Sequence, residues 1–551
     1  MTNISADKFF TLQTVCMDPA SPQWQADFFP RPWAVYAEVG ALGLRIRTGQ
    51  SRHVFIRQGG TDGQVLVQQR CAPGLTVLPI GRADACGDWL ICEVENTAVP
   101  DSDLKIEWVC SAPPVHAPAI AIIICTFNRD QQLRLVLDAL GKQREAIGHI
   151  CIVNQGHSGL AARVRREDDP SFLQIVEQAN YGGAGGFTRG LMESLKMRGM
   201  THFLFMDDDV EISDTLIIRL KAICAYVPDS ICIGGAMLDI RNPDSVVSLG
   251  HRIDVNKCAV RDIVPKEGMS LNDEVTLRQM AELPDVDFCG WWCFCFPQRA
   301  VEQCGLPLPF FIRGDDAEYG LRLTHAGFRT VMWPGIAVKH NALTSQTQAW
   351  HHFYDRRNAL LCSLLYSPKG QAPSVASLVR GIINAMVTYR YDFAEAGIGA
   401  LRAYQRGADA LAEWGAESHR RLLANRIKDE AAPAERPVAI TCYPTPFFRT
   451  LISVMRIIHD YFAPQSQINH MPVVNNRDWV SGTRQRPEGI LAKTGDKVTR
   501  LVRDPKRFRA IFHSLIKGLV AQYFRKPPSK QNIWKMTTIE WWENFLKISG
   551  K

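Results

Sequence analysis

His202-Phe203-Leu204-Phe205-Met206-Asp207-Asp208-Asp209-Val210 is the stretch on which the reading of this chain turns. An apolar run ends abruptly in three consecutive carboxylates. A buried strand with that ending needs a neutraliser, because adjacent like charges disfavour each other's ionised form. A divalent cation carrying a diphosphate would serve, and hard oxygen ligands suit Mg²⁺ or Mn²⁺. The competing reading is a solvated loop or acidic helix start, since Ser213 and Asp214 also suit a helix N-terminus.

Working outward, the surrounding pattern is an alternation of strands and helices. Ala119 to Ile124 is a continuous apolar run, as in a parallel strand covered on both faces. A helical pattern follows through Leu133, Val136, Leu137 and Leu140. Strands are expected at 149–153, 173–176, 202–206 and 231–237, with helices at 187–198 and 214–226. This predicts an open α/β sheet, in which ligands bind beyond the carboxyl ends of the strands. Cys125-Thr126-Phe127-Asn128-Arg129 and the acid triplet both fall at such ends.

The flanks differ in character. Residues 1 to about 115 read as short β-strands, at Val35–Val39, Leu44–Arg47, Val65–Val67 and Leu104–Trp108, and so as a sandwich. Ala112 to Pro118 is a linker. After about residue 345 the pattern is helical, for example at 354–365 and 377–391, with a polar break at 426–445. The expected division is therefore 1–115 sandwich, 116–345 catalytic α/β domain, 346–440 helical region and 441–551 basic helical region. The last of these holds 19 Lys/Arg against 7 Asp/Glu, counted from the sequence, whereas the whole chain balances at +7. A basic tail on a mildly acidic body points to an anionic partner.

Bulk composition narrows the class. The 551 residues suffice for roughly three or four domains. No secretory signal is expected at the N-terminus, and no window of about 18 uninterrupted apolar residues suggests a membrane span. The 16 cysteines are scattered. Cys289, Cys293 and Cys295 cluster without a second Cys/His pair at zinc spacing, so reduced, buried thiols are expected.

Five further stretches carry chemistry. Thr126-Phe127-Asn128-Arg129 would put a ring and a guanidinium where a base and phosphates lie, or else would only cap a helix. Asn180-Tyr181-Gly182-Gly183-Ala184-Gly185-Gly186-Phe187 reads as a turn allowing close backbone approach to a ligand before a helix N-terminus. Gly290-Trp291-Trp292 offers indole faces for sugar rings, or a core pair. Arg313-Gly314-Asp315-Asp316-Ala317-Glu318-Tyr319-Gly320 repeats the acid ending at a helix start, where N-capping is the plainer account. Val338-Lys339-His340 ends an apolar stretch on a histidine that would complete a carboxylate pair as a metal ligand, though a lone histidine is more often structural.

Taken in order, these motifs resemble the family 2 inverting glycosyltransferases of GT-A fold, and most of all the galactofuranosyltransferases of mycobacterial galactan type. The resemblance covers about residues 119–345. It implies a GT-A core with an N-terminal β-sandwich and a C-terminal helical region. It implies Asp207, Asp209 and His340 as metal ligands for Mn²⁺ or Mg²⁺. Phe127, Arg129, Asn180, Gly183 and Asp208 would bind a UDP-sugar donor. Trp291, Trp292 and Asp315 would bind the acceptor, with Asp316 as general base. The implied acceptor is a glycan on a polyprenyl diphosphate, reached by peripheral contact with the inner, cytoplasmic face of the cell membrane. No nucleic-acid partner is expected, and self-association is left open. Tyr181, Ala184 and Arg313-Gly314 depart from the family pattern, which touches acceptor choice and linkage. The alternatives are a rhamnosyl- or glucosyltransferase of O-antigen or capsule assembly, a nucleotidyltransferase, and a non-catalytic carbohydrate-binding protein.

Overall fold

The apolar run Ile120–Thr126 forms β1, the strand around which the central domain is built in this computed structural model. The structure describes residues 9–15, 27–59, 63–95, 103–166, 169–256, 259–265, 268–341, 348–367, 373–424, 429–431, 461–462, 473–475, 489–494 and 497–547. Asp130–Gly141 (α1) leads to Ile147–Asn154 (β2) and Leu173–Glu177 (β3). Gly182–Leu195 (α2) precedes His202–Asp207 (β4), and Leu216–Cys224 (α3) precedes Ile231–Asp239 (β5). Asn242–Ser248 (β6), Cys293–Pro297 (β7), Asp315–His325 (α4) and Arg329–His340 (β8) complete the unit.

The sheet runs β3-β2-β1-β4-β7-β5-β6, with β8 parallel to β5. Strands β3, β2, β1 and β4 are parallel, and β7 is antiparallel to β4. This is the open α/β sheet expected of a GT-A core. Side chains alternate between its faces, as the strand period of 2 requires. Ile120, Ile122 and Ile124 pack with Leu133, Val136 and Leu137 of α1 and Leu216 of α3. Ala121 and Ile123 pack on the other side with Phe187 and Leu191 of α2. Both faces are covered, so the strand reads as uninterrupted hydrophobe.

The N-terminal region forms two antiparallel sheets. One orders Phe10–Thr14, Lys105–Cys110, Ala41–Thr48 and Gly74–Arg82; the other orders Val65–Cys71, Arg52–Gln58 and Leu90–Val94. Leu44, Ile46, Val54 and Ile56 are buried in one shared core. One expected strand is not there: Val35 and Tyr36 end the helix Pro30–Tyr36. Pro30 at the first helical position is pre-set for that conformation. The helix turns Trp33 onto Tyr226 (6.0 Å) and Trp333 (5.1 Å) of the central domain, both edge-on.

The C-terminal region packs Ala349–Tyr366 (α5), Ala376–Val387 (α6), Tyr391–Arg406 (α7) and Pro505–Phe524 (α8) together. The sequence pattern predicts helix here, but the region also contains strands. A four-stranded sheet orders Asp429–Ala431, Lys497–Val502, Gly489–Thr494 and Val473–Asn475. Most of the expected break at 426–445 and the apolar stretch 447–458 lie outside the described residues. Ile539–Phe545 (α9) returns to the central domain, where Trp542 is fully buried and its Nε1 donates to the Pro307 carbonyl at 3.0 Å. Among the described residues, no helix is long and apolar enough to cross a membrane. The described cysteines are free, and all but Cys125 are buried.

Candidate active site

The ends of β1 and β4 lie level, because Cys125 pairs in register with Asp207. The chain then turns, and Glu211–Ile212 pairs antiparallel with Lys339 and Val338 of β8. That short return brings the acid triplet to the last residue of β8. His340 Nε2 lies 3.0 Å from Asp209 Oδ1. One ligand atom each from Asp207, Asp209 and His340 all fall within 4.8 Å of one another. Arg129 Nη1 donates to Asp208 Oδ1 at 3.2 Å and also bonds Asp209.

The electrostatics follow from burial. Asp207 is pushed up to about 7, first by desolvation and then by the neighbouring Asp209 charge. Desolvation also raises Asp208, whose Oδ2 is buried without a hydrogen-bond partner. Burial works to raise Asp209 too, but the His340 hydrogen bond and the His340 and Arg129 charges outweigh it and hold it low. His340 is raised in turn by the Asp209 hydrogen bond. Two carboxylates and an imidazole, crowded to the point that one carboxylate resists ionisation, fit a divalent cation, which would remove that penalty.

The second acid pair opens α4. Phe311, Arg313 and Gly314 adopt positive φ just before it, so the chain reverses sharply into the helix. Farther along, a buried pair anchors α4: Arg322 Nε donates to Glu318 Oε1 at 3.0 Å, and Arg322 Nη1 donates to the Cys304 and Leu306 carbonyls. Tyr366 OH on α5 donates to the same Glu318 oxygen at 2.7 Å. Asp315 is buried, and its carboxyl is raised by desolvation, then by Asp316, with Asp207 adding to the shift. Desolvation raises Asp316 as well, while the Ala317 amide, His251 and Arg313 partly oppose it. The two acid groups thus feel one another's charge across one site.

The remaining expected residues divide. Phe127 is 51% exposed at the end of β1, a free ring beside Arg129. Asn180 accepts from the Gly182 N–H at 2.8 Å, closing its own turn. The glycines form the first turns of a helix rather than a loop before it, since α2 starts at Gly182, and the close approach most of them permit is to the protein itself. A Cβ at Gly182 would lie 2.0 Å from the Phe311 carbonyl oxygen, and one at Gly186 would lie 2.1 Å from Cys125 Sγ. Gly183 is the open one, with Asp315 Oδ2 3.5 Å from its would-be Cβ. Trp291 is only 5% exposed, wedged against Phe187 and Phe205, so it packs the core beneath the site. Trp292 is half-buried, and its Nε1 donates to the Gly235 carbonyl at 2.9 Å.

Three residues were not anticipated from the sequence. Gln155, buried after β2, donates to the Gly182 carbonyl (2.7 Å) and accepts from the Tyr181 N–H (2.8 Å), tying α2 to the sheet. His251 stacks on Phe288 (4.8 Å), bonds Asp262, and faces Asp316 electrostatically. Asp355 on α5 pairs with Arg313. None lies in a motif; each depends on a long-range contact that spacing does not encode.

Residues 117–359 match the family model described as "Glycosyltransferase like family 2". The galactofuranosyltransferase GlfT2 of Mycolicibacterium smegmatis is 30% identical over 412 residues, covering 69% of this chain and 62% of its own. The GlfT2 of Mycobacterium tuberculosis is 31% identical over 309 residues, 51% of this chain and 47% of its own. The galactofuranosyltransferase GlfT1 of M. smegmatis is 25% identical over 214 residues, 38% of this chain and 67% of its own. The chain thus spans less than two thirds of either GlfT2 relative.

Proposed function

The chain carries a family 2-like glycosyltransferase domain that resembles the mycobacterial galactan galactofuranosyltransferases, and we propose that it moves galactofuranose from UDP-galactofuranose, with inversion, to a hydroxyl of a lipid-linked cell-surface glycan. The observation that carries this reading is the Asp207/Asp209/His340 cluster together with a second acid pair, Asp315/Asp316, near enough for the Asp207 charge to bear on Asp315. One group suits a diphosphate leaving group and the other an attacking hydroxyl.

A dication held by Asp207, Asp209 and His340 would act as Lewis acid toward the departing diphosphate. Phe127 offers its exposed ring to the uracil, and Arg129, half-exposed over Asp208 and Asp209, offers its guanidinium to phosphate. Asp208 takes a donor hydroxyl. Asp316 accepts the proton of the acceptor hydroxyl as that oxygen attacks the anomeric carbon from the face opposite UDP, and Asp315 orients the acceptor. Trp292 borders the acceptor side, with Trp291 fixing its position from the core. Holding both sugars in this geometry supplies much of the remaining acceleration.

The acceptor's lipid would keep the enzyme at the inner membrane face. Helix α8 supports this with an outward stripe of Ile516, Val520 and Tyr523 at helical spacing, beside Lys517, Arg525 and Lys526. Tyr523 and Phe524 are 84% and 78% exposed. Apolar rings among cations suit an anionic lipid surface.

The deciding experiment is transfer with purified protein, Mn²⁺ or Mg²⁺, a panel of UDP-galactofuranose, UDP-galactopyranose, UDP-glucose and dTDP-rhamnose, and a synthetic lipid-linked galactofuranosyl acceptor. Metal-dependent transfer from UDP-galactofuranose alone is expected. Transfer from another donor instead would overturn the sugar assignment and leave the chemistry standing.

A further inference from the structure

A cavity of about 530 Å³ opens in the C-terminal helical region, away from both acid groups. That volume falls within the roughly 300–1,000 Å³ typical of small-molecule sites. Its walls include Trp350 and Phe353 of α5, Asp392 and Arg402 of α7, and Trp414. Trp350 and Trp414 are half-buried, and their indole N–H groups are already committed, to Gln348 Oε1 (3.0 Å) and Tyr354 OH (2.8 Å). What they present to the cavity is ring surface. Asp392 is only 7% exposed, yet its Oδ1 has no hydrogen-bond partner. A buried carboxylate oxygen left unmatched is costly and calls for a donor. Arg402 is exposed at the rim.

We propose that this cavity is a second glycan subsite, holding a sugar of the acceptor chain remote from the reacting hydroxyl. The inference rests on the acceptor being a glycan, as argued above. A neutral polyhydroxylated ring matches the lining: its C–H face lies on indole, its hydroxyls donate to Asp392, and its oxygens accept from Arg402. Position supports the same occupant, because α5 is the wall between the cavity and the loop that carries the second acid pair. The helix holds that loop directly: Arg313 pairs with Asp355, Asn358 Nδ2 donates to the Arg313 carbonyl at 2.6 Å, and Phe311 stacks at 5.6 Å on Tyr354, which also accepts from the cavity-wall Trp414. A sugar seated here would fix the far part of a chain whose end meets Asp316.

The test is calorimetric titration of the full chain with lipid-free galactofuranosyl, rhamnosyl and glucosyl hexasaccharides, without donor. Trp350→Ala, Asp392→Asn and Arg402→Ala should each weaken galactofuranosyl-hexasaccharide binding about tenfold or more, with Mn²⁺-dependent UDP binding unchanged. Arg402 is a surface residue, so its variant separates loss of contact from loss of fold. Wild-type affinity in Arg402→Ala and Asp392→Asn, or no binding of any hexasaccharide, would overturn the subsite. Binding of the rhamnosyl or glucosyl glycan alone, lost in the same variants, would uphold the cavity and overturn the galactofuranose reading.

Discussion

Asp209 and Asp316 have separable jobs, and substitution should separate them. Asp209→Asn removes a ligand atom from the metal triad and the partner of both His340 and Arg129. Calorimetry should then find Mn²⁺-dependent UDP binding weakened by at least about tenfold. Asp316→Asn should leave that binding intact and lower transfer by about 10²–10⁴-fold, the usual range for a general base. Because burial raises Asp316, the acid limb of kcat/KM should lie above the ordinary carboxylate range, with rate rising as pH rises through it. Asp315 tests the opposite quantity. Its folded-state pKa is raised, so the native state holds a proton that the unfolded state releases from about pH 4 upward. Its contribution to stability is present below that pH and is lost as pH rises through the folded value. In EDTA, Asp315→Asn should therefore gain on wild type with rising pH, by a few degrees in Tm at neutral pH; a parallel pH profile for the two proteins would refute the assignment. The clustering of Asp207, Asp209 and His340 was legible because each falls at the end of an apolar strand run, and their grouping was implied by the family resemblance. Which of Trp291 and Trp292 faces the core was not, since both lie in the turn before β7 and only the packed fold decides between them.

Among the elements, α2 best illustrates where local signals mislead. Its first residues are glycines, poor helix formers, so a sequence reading starts the helix at Phe187, five residues after its true beginning at Gly182. Packing overrides propensity here. Gly186 meets Cys125 Sγ and Gly190 meets Ile123 Cγ2, both on β1. Gly186→Ala should push α2 off the sheet and cost about 1–3 kcal/mol, read by urea denaturation, with UDP affinity falling in parallel. The reverse error occurs at Val35–Val39, where β-branched residues suggest a strand and Pro30 instead seats a helix. The hairpin Gly489–Thr494 with Lys497–Val502 was hidden for another reason: its charge drew attention to the tail as a whole, while its buried positions, Ile490 and Leu501, join a core that includes Ile382 and Leu401, about 90 residues or more away in sequence. The alternation from Ala119 onward was readable because strands covered on both faces leave long apolar runs that need no tertiary context.

At the scale of the whole molecule, the regions are tied together by single buried indoles. Trp33 ties the N-terminal sheets to the central domain, and Trp542 ties the C-terminal segment to it. Removing everything after about residue 440 would therefore strip the central core of Trp542 as well as removing the basic tail, and loss of lipid binding in such a truncation would have two causes. Point changes on α8 avoid this. Tyr523→Ser with Phe524→Ser should reduce binding to anionic vesicles, steepen nothing in the salt dependence, and leave Tm unchanged, since both rings face outward. Undiminished vesicle sedimentation would remove α8 from the membrane contact.

The burial of Trp542 has a consequence for how the protein is made. A ribosome synthesises from the N-terminus and conceals the most recent stretch of chain in its exit tunnel. The α/β core, encoded in the first two thirds, emerges long before the indole that seals it beneath Pro307. Until α9 has left the tunnel, that part of the core stays open and its apolar lining stays wet, so nascent chains would pass that interval as clients for chaperones.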